Sequence, residues 1–418
     1  MDRGNIATAL TSTITTDLGV NTNAINVGTQ LFSAGIVILE IPSNILLQKV
    51  GPLRWLSVQI LAWGLVATFQ AFIQSYGAYL ATRLLLGLCE AGFIPGALYY
   101  LSTWYTKKET SLRVSFFFLG NIFAGGLTSL IGAGILTINT WAGWRWVFLI
   151  EGIITLIVAV IFNLFIPPKV GDGRPLASFG KWSYFTERES HIIRNRVLLD
   201  DPKKSKGEIS IKWADLKHTW SQKRIWLHCL ITLTIMAAYG GLTTYTPSII
   251  KSLGFTMVKA NAMASVPTFI SMFVLLGFAW LSDRTGHRGP WILLIITWNL
   301  ITWSCLSGLP LTASKWHKYS VIVLSNLSAA NTHVLNVSWL SVNCTTPQMR
   351  SVSMAMVVMS ANLAQIAGAQ IFRTEDAPRY RRAFVAVSVL AASSFLLCSA
   401  QCAQYVLNRR RKNGGKSF

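Results

Sequence analysis

Residues 260–281 read ANAMASVPTFISMFVLLGFAWL, an unbroken run without a charged side chain, followed at once by Ser282-Asp283-Arg284-Thr285-Gly286. In hydrocarbon every backbone N–H and C=O must bond within its own segment, so an apolar run of about 20 residues reads as a membrane-spanning α-helix. The same signature recurs on both sides of it. Working outward gives eleven spans, near 27–47, 55–74, 79–102, 114–138, 146–166, 226–250, 260–281, 291–309, 319–342, 351–371 and 384–407. The fold class is therefore an all-α polytopic membrane protein. Charged residues make up only 13% of the 418, against about 25% in an average soluble domain. That excludes a soluble two-domain enzyme, a disordered tail protein and a secreted disulfide scaffold.

One hydrophilic stretch, 167–225, divides the spans five and six. The organisation is an N-terminal membrane half (1–166), a linker with amphipathic helices (167–225), a six-helix half (226–407) and a basic tail (408–418). In the linker, Thr186-x-x-Glu189 is a capping box that starts a helix ending near Leu199. Lys and Arg number 37 against 16 Asp and Glu, a net charge of +21. In a soluble chain this would suggest nucleic acid; here it matches loops held on the cytoplasmic side. If 27–47 runs outside to inside, 26 Lys and Arg fall on the linker's side and nine opposite it. Linker and C-terminus are then cytoplasmic. The six Cys lie in or beside apolar segments, without a CxxC pair, and read as small core residues. Five spans before the linker are one short of six. Residues 1–10 look like the second half of a helix, so the first span is expected to be largely missing, and no signal peptide is recognisable.

With the spans in place, the motifs resemble those of a known family. Asp2-Arg3-x-Asn5, Glu40-Ile41-Pro42-Ser43-Asn44, Gly51-Pro52-x-Arg54-Trp55 and Arg83-x-x-x-Gly87-x-x-Glu90-Ala91-Gly92 are similar to the anion:cation symporters of the major facilitator superfamily. So are Gly143-Trp144-Arg145-Trp146-x-Phe148 with Glu151-Gly152, and Ser282-Asp283-Arg284-x-Gly286. Thr246 to Phe255 and Ser360 to Gly368 resemble the fungal-type permeases for allantoate, nicotinate, pantothenate and related carboxylates. The resemblance implies two six-helix halves around a central cavity. The inter-helix loop motif is imperfect: Ala279 replaces its first Gly and His287 its first closing basic residue, and the first-half copy has no Asp.

Ionisable groups in hydrocarbon are costly and so are candidates for function. Asp2, Arg3, Glu40, Arg83, Glu90 and His333 form this group. Arg3 offers a permanently charged fork for a carboxylate, and the resemblance places it in the central cavity; an ion pair locking two helices is the plainer role. Glu90, in mid-span, suits proton exchange, and with Asp2 it forms the proton-coupling pair that the resemblance implies. Arg83 reads as structural, near the outer end and able to snorkel, and Glu40 as a partner for backbone freed by Pro42. Gly92-x-x-x-Gly96 around Pro95 reads as close packing with a kink. Asn5, Tyr245, Asn336 and Asn362 join Arg3 as substrate-binding candidates, although each Asn equally suits an interhelical hydrogen bond. A lone His333 reads first as a satisfied core histidine. Asp283, Arg284 and Arg288 are candidates for a cytoplasmic gate clamp.

The expected activity is proton-coupled uptake of a small organic anion by a monomeric transporter of the plasma membrane, working by alternating access. A drug or metabolite antiporter on the same fold, a non-transporting nutrient sensor and an inactive truncated product are the alternatives. The span 114–138 lacks the Gly-Pro of the antiporter pattern. Neither cofactor, metal nor nucleic acid is expected, and enzyme chemistry has no phosphate loop, metal-ligand spacing or nucleophile–base pair to rest on.

Overall fold

The computed structural model describes residues 4–138, 140–167, 169–200, 213–310, 312–327 and 329–414. Among these the regular structure is helical throughout. The N-terminal half holds α1 (Asn5–Ala9), α2 (Ile14–Asp17), α3 (Thr22–Val50), α4 (Pro52–Phe69), α5 (Tyr76–Glu90), α6 (Phe93–Trp104), α7 (Lys107–Ile135) and α8 (Gly143–Phe165). The linker contributes α9 (Glu187–Asp200) and α10 (Trp213–Trp220). The C-terminal half holds α11 (Lys223–Ser252), α12 (Met257–Thr285), α13 (Arg288–Gly308), α14 (Lys315–Asn326), α15 (Ala329–Val342), α16 (Pro347–Gly368) and α17 (Arg381–Gly414).

Local chemistry sets the boundaries. Asn21, Thr256 and Thr346 each accept a first-turn backbone N–H, capping α3, α12 and α16. Thr106 and Glu109 form a capping box at α7, and the predicted Thr186/Glu189 box is made before α9. Between α3 and α4 the chain reverses in one residue, Gly51, at φ +97°, a conformation that favours glycine, with Pro52 opening the next helix.

Among the described residues, ten helical segments are fit by length and hydropathy to cross a membrane, α5 and α6 counting together as one. The predicted span 319–342 is not among them; it holds α14 and α15. The predicted span 79–102 is interrupted too, at Ala91 and Gly92, where Gly92 takes φ +77° between α5 and α6. Large apolar side chains such as Phe273 (75% exposed) and Leu396 (69%) cover the outside, as a lipid-facing wall requires.

Within the C-terminal half α11 packs along α16 and α17, and α13 along α17; in the N-terminal half α4 lies on α8 and α3 on α5. The α3–α5 contact depends on glycine, because a Cβ at Gly87 would run into the Phe32 carbonyl. The halves meet along two seams, α7 against α12 and α3 against α16, while buried α1 packs against α11. We call the end where α8 finishes and α11 begins the linker end, and the opposite one the far end.

Candidate functional site

Among the described residues, every hydrogen bond joining the two halves lies toward the far end. Asn26, on the first turns of α3, donates to the Phe372 carbonyl (3.0 Å) and accepts from the Tyr245 hydroxyl of α11 (2.5 Å). Tyr245 is 1% exposed and stacks on Phe372 with centroids 5.3 Å apart. Nearby, Gln30 donates to the Ile366 carbonyl (2.9 Å), and Asn23 donates to Glu375 (2.9 Å) while accepting the Thr374 N–H (3.0 Å). Thr11 receives Lys251 on its carbonyl (2.6 Å) and Asn261 on its hydroxyl (2.8 Å). Glu375 sits in the loop after α16; its own backbone N–H, with Arg373 and Asn23 nearby, holds its carboxyl below the usual range. Tyr245, expected against substrate, is thus part of a seal between halves.

On the linker side of this seal, near the middle of their lengths, two helical stretches are broken, between α5 and α6 and between α14 and α15. Glu90 is the last residue of α5 and half-buried. The carbonyls left beside it are not abandoned: the Gln59 amide of α4 donates to Ala91 O (2.6 Å) and Cys89 O (3.2 Å), and to the Ser43 hydroxyl (3.3 Å). The fourth helix of the second half breaks between α14 and α15 at a comparable depth. Interrupted helices in corresponding positions of two halves are the backbone signature of a transporter's binding region.

The remaining candidates divide. Asp2 and Arg3 lie outside the described residues. Asn5 is fully buried and accepts from Arg83 (3.3 Å). Arg83 does not snorkel. It is 3% exposed, its guanidinium 5.5 Å from the Tyr79 ring and 5.3 Å from Phe148. Asn336 is buried against α11, its Oδ1 accepting from His228 Nδ1 (2.6 Å) and its NH2 donating to the His228 carbonyl and Thr232 hydroxyl (both 3.0 Å). Asn362 is half-buried; its NH2 donates to Val358 one turn back (3.2 Å).

At the linker end Arg288 pairs with Asp283 (3.0 Å) and donates to the Ser338 carbonyl. The Arg284 guanidinium lies 5.1 Å from the Trp280 ring. All these contacts stay within the C-terminal half. Linker and N-terminal half join through Arg196 and Glu109 (3.1 Å). The Thr106 N–H, the largest influence, and the Arg196 and Arg113 charges hold the Glu109 carboxyl below its ordinary range.

Two buried groups were missed by sequence reasoning. Glu151 is fully buried on α8, inside the predicted span 146–166, so the rule applied to Glu90 would have selected it. His228 sits in the span 226–250, where a neutral ring leaves no charge signal; its partners Asn336 and Tyr405 (3.2 Å) come from distant helices.

Two bundles of apolar helices, sealed together by polar side chains at one end and carrying broken central helices, define a membrane solute transporter. The sequence model of the Major Facilitator Superfamily matches residues 1–369, and the chain belongs to that superfamily. It is similar to the uncharacterised transporter YIL166C of Saccharomyces cerevisiae, 31% identical over 98% of this chain and 76% of the relative. It is also similar to the major facilitator-type transporter hxnP of Emericella nidulans, 28% identical over 99% of this chain and 82% of the relative. Among solved structures it resembles the E. coli xylose transporter XylE in a partially occluded inward open conformation. That match has a TM-score of 0.70 at 15% identity and covers 94% of this chain and 92% of XylE. At such identity the likeness concerns the fold.

Proposed function

We propose that the chain takes up a small organic anion together with protons, alternating access to its cavity between the two membrane faces. The observation that carries this reading is the placement of the bonds between halves: sealed toward the far end, with Glu90 and the two helix breaks on the linker side of that seal. The excess of Lys and Arg on the linker side supports a cytoplasmic linker and C-terminus, which makes this state open inward. In that scheme the Asp283–Arg288 pair and Arg284 form a cytoplasmic clamp, rearranging when the halves close there. An anion is supported by the likeness of the Asp2-Arg3-x-Asn5 and Arg83 to Gly92 motifs to anion:cation symporters. Glu90, an acidic side chain at a membrane-buried helix end, suits proton loading and release, with Asp2 beside Arg3 as its partner. A monomer of the plasma membrane fits the same reading.

The test is uptake of radiolabelled nicotinate, allantoate and pantothenate by null cells expressing the chain, at pH 5 and pH 7. Uptake of at least one, faster at pH 5 and with that pH dependence lost in Glu90→Gln, is the expected result. Absence of uptake of all three, or a Glu90→Gln profile identical to wild type, would overturn the proposal.

A further inference from the structure

The chain does not run straight into the linker where it leaves α8. The Tyr100 hydroxyl of α6 holds the Pro167 carbonyl (2.6 Å), and a short 3-10 turn, Leu176–Ser178, packs back on α8. The Tyr184 hydroxyl then donates to the carbonyl of Phe165, the last residue of α8 (3.2 Å). Residues 173–184 thus form a loop beside the end of a membrane span, closed at its neck by the Tyr184 N–H on the Gly173 carbonyl (2.8 Å).

Inside, the loop is polar and bonded. The buried Ser178 hydroxyl donates to the Pro175 carbonyl (2.7 Å) and accepts the Gly180 N–H (3.2 Å). At the tip Phe179 takes φ +44° and Gly180 φ +78°. Two left-handed residues in succession turn the chain sharply, and for a phenylalanine that backbone is unfavourable. No packing within the protein offsets the cost, because Phe179 is 86% exposed. Leu176, Trp182 and Tyr184 are exposed with it, the Trp182 ring edge-on to Tyr184 with centroids 5.0 Å apart.

Clustered large apolar side chains rimmed by polar ones mark an interaction surface, and three observations identify what it meets. The loop adjoins the end of α8 whose exposed side chains Ile157, Ile161 and Phe165 face lipid, so it continues that wall. Its composition is that of the boundary between hydrocarbon and water, where Trp and Tyr place an apolar ring and a polar tip. Its charges over 169–184 are Lys169, Arg174 and Lys181 against Asp172, all exposed, which suits anionic headgroups.

We propose that residues 173–184 are a membrane anchor, seating Leu176, Phe179 and Trp182 in the headgroup layer at the linker end, with Arg174 and Lys181 against anionic lipid. The inference is independent of the solute carried and of the orientation of the chain. The start of the linker is then held on the bilayer surface and does not hang free.

The full chain in nanodiscs provides the test. With Phe179 replaced by the photoreactive p-benzoylphenylalanine, irradiation attaches intact phospholipid to the loop peptide, read by mass spectrometry. The yield is at least fivefold that of the same replacement at Glu187, an exposed residue of α9. In hydrogen–deuterium exchange, peptides within 173–184 exchange at least threefold faster in Phe179→Asp than in wild type. An aspartate accepts the left-handed backbone more readily than a phenylalanine, so relief of strain alone would slow exchange instead. Phe179→Leu, which keeps an apolar tip, retains most of the protection. Wild-type protection is greater in an equal mixture of phosphatidylserine and phosphatidylcholine than in phosphatidylcholine alone, and Lys181→Gln narrows that difference. Attachment to another peptide of the chain in place of lipid would show that the protein itself covers the loop. Attachment to neither, or exchange in Phe179→Asp no faster than in wild type, would show a loop in water, and each of these results overturns the anchor. Equal protection in the two lipid compositions overturns the anionic preference. Should Phe179→Asp lower the thermal unfolding midpoint, the photoattachment arm decides alone.

Discussion

Replacing Asn26 by alanine removes one side chain and strands two buried groups belonging to the other half of the molecule. The Tyr245 hydroxyl loses its acceptor and the Phe372 carbonyl its donor, and Tyr245 is 1% exposed, so water does not replace the loss while the far end stays closed. A buried polar group left unpaired costs about 1–3 kcal/mol, so two cost roughly 2–6 kcal/mol. The penalty falls on the sealed state alone, because both groups are hydrated once the far end opens. At 1.4 kcal/mol per tenfold, even the lower figure raises the far-end-open fraction about 30-fold relative to the sealed one. Hydrogen–deuterium exchange of the purified protein reads this directly. Peptides covering Thr22–Phe32 and Ile366–Asp376 exchange faster in Asn26→Ala, while peptides from the linker end of α11 keep their wild-type rate. Tyr245→Phe strands only the Asn26 oxygen and gives a smaller shift in the same peptides. If both variants exchange like wild type at the far end, the seal does not hold the halves and the assignment of the conformation fails.

Two further outcomes follow from contacts outside the seal. Arg83→Ala removes a buried guanidinium lying against two aromatic rings and bonded to Asn5, contacts worth about 2 kcal/mol or more when desolvated; a thermal unfolding midpoint several degrees lower in detergent, not restored by Arg83→Lys, is expected. Glu109 has its folded-state carboxyl pKa lowered, so its cap on α7 and its pair with Arg196 contribute above the ordinary carboxylate range and are lost as pH falls through the lowered value. Pepsin digestion of the linker should therefore accelerate below about pH 4 more steeply in wild type than in Glu109→Gln, and equal acceleration would refute the linkage.

The membrane spans were legible because hydrocarbon imposes one demand on every span, and 260–281 meets it without a charged side chain, the Met263 carbonyl freed by Pro267 being taken by the Tyr319 hydroxyl. What hydropathy cannot register is a change of backbone direction inside an apolar run. Gly92 and Pro95 gave some warning of the α5–α6 break, but Asn326-Leu327-Ser328 gave little for the second one, so 319–342 was read as continuous. Side-chain roles were harder. A tyrosine or asparagine in a span has the same sequence signature whether it faces a cavity, as expected of Tyr245 and Asn336, or a neighbouring helix, where both stand. The difference depends on Asn26 and His228, which lie 219 and 108 positions away. Glu151 is another matter, since its span was recognised and its charge was plain in it.

Gln59 has a mechanical meaning. A helix that flexes within a membrane ordinarily tears open part of its own hydrogen-bond ladder at each excursion, in a solvent that offers no replacement. Here the carbonyls of Cys89 and Ala91 are already handed to a side chain on α4. The joint between α5 and α6 is thus prefabricated during folding. The change of direction at Gly92 therefore leaves no unpaired carbonyl at Cys89 or Ala91, as a bend inside hydrocarbon requires.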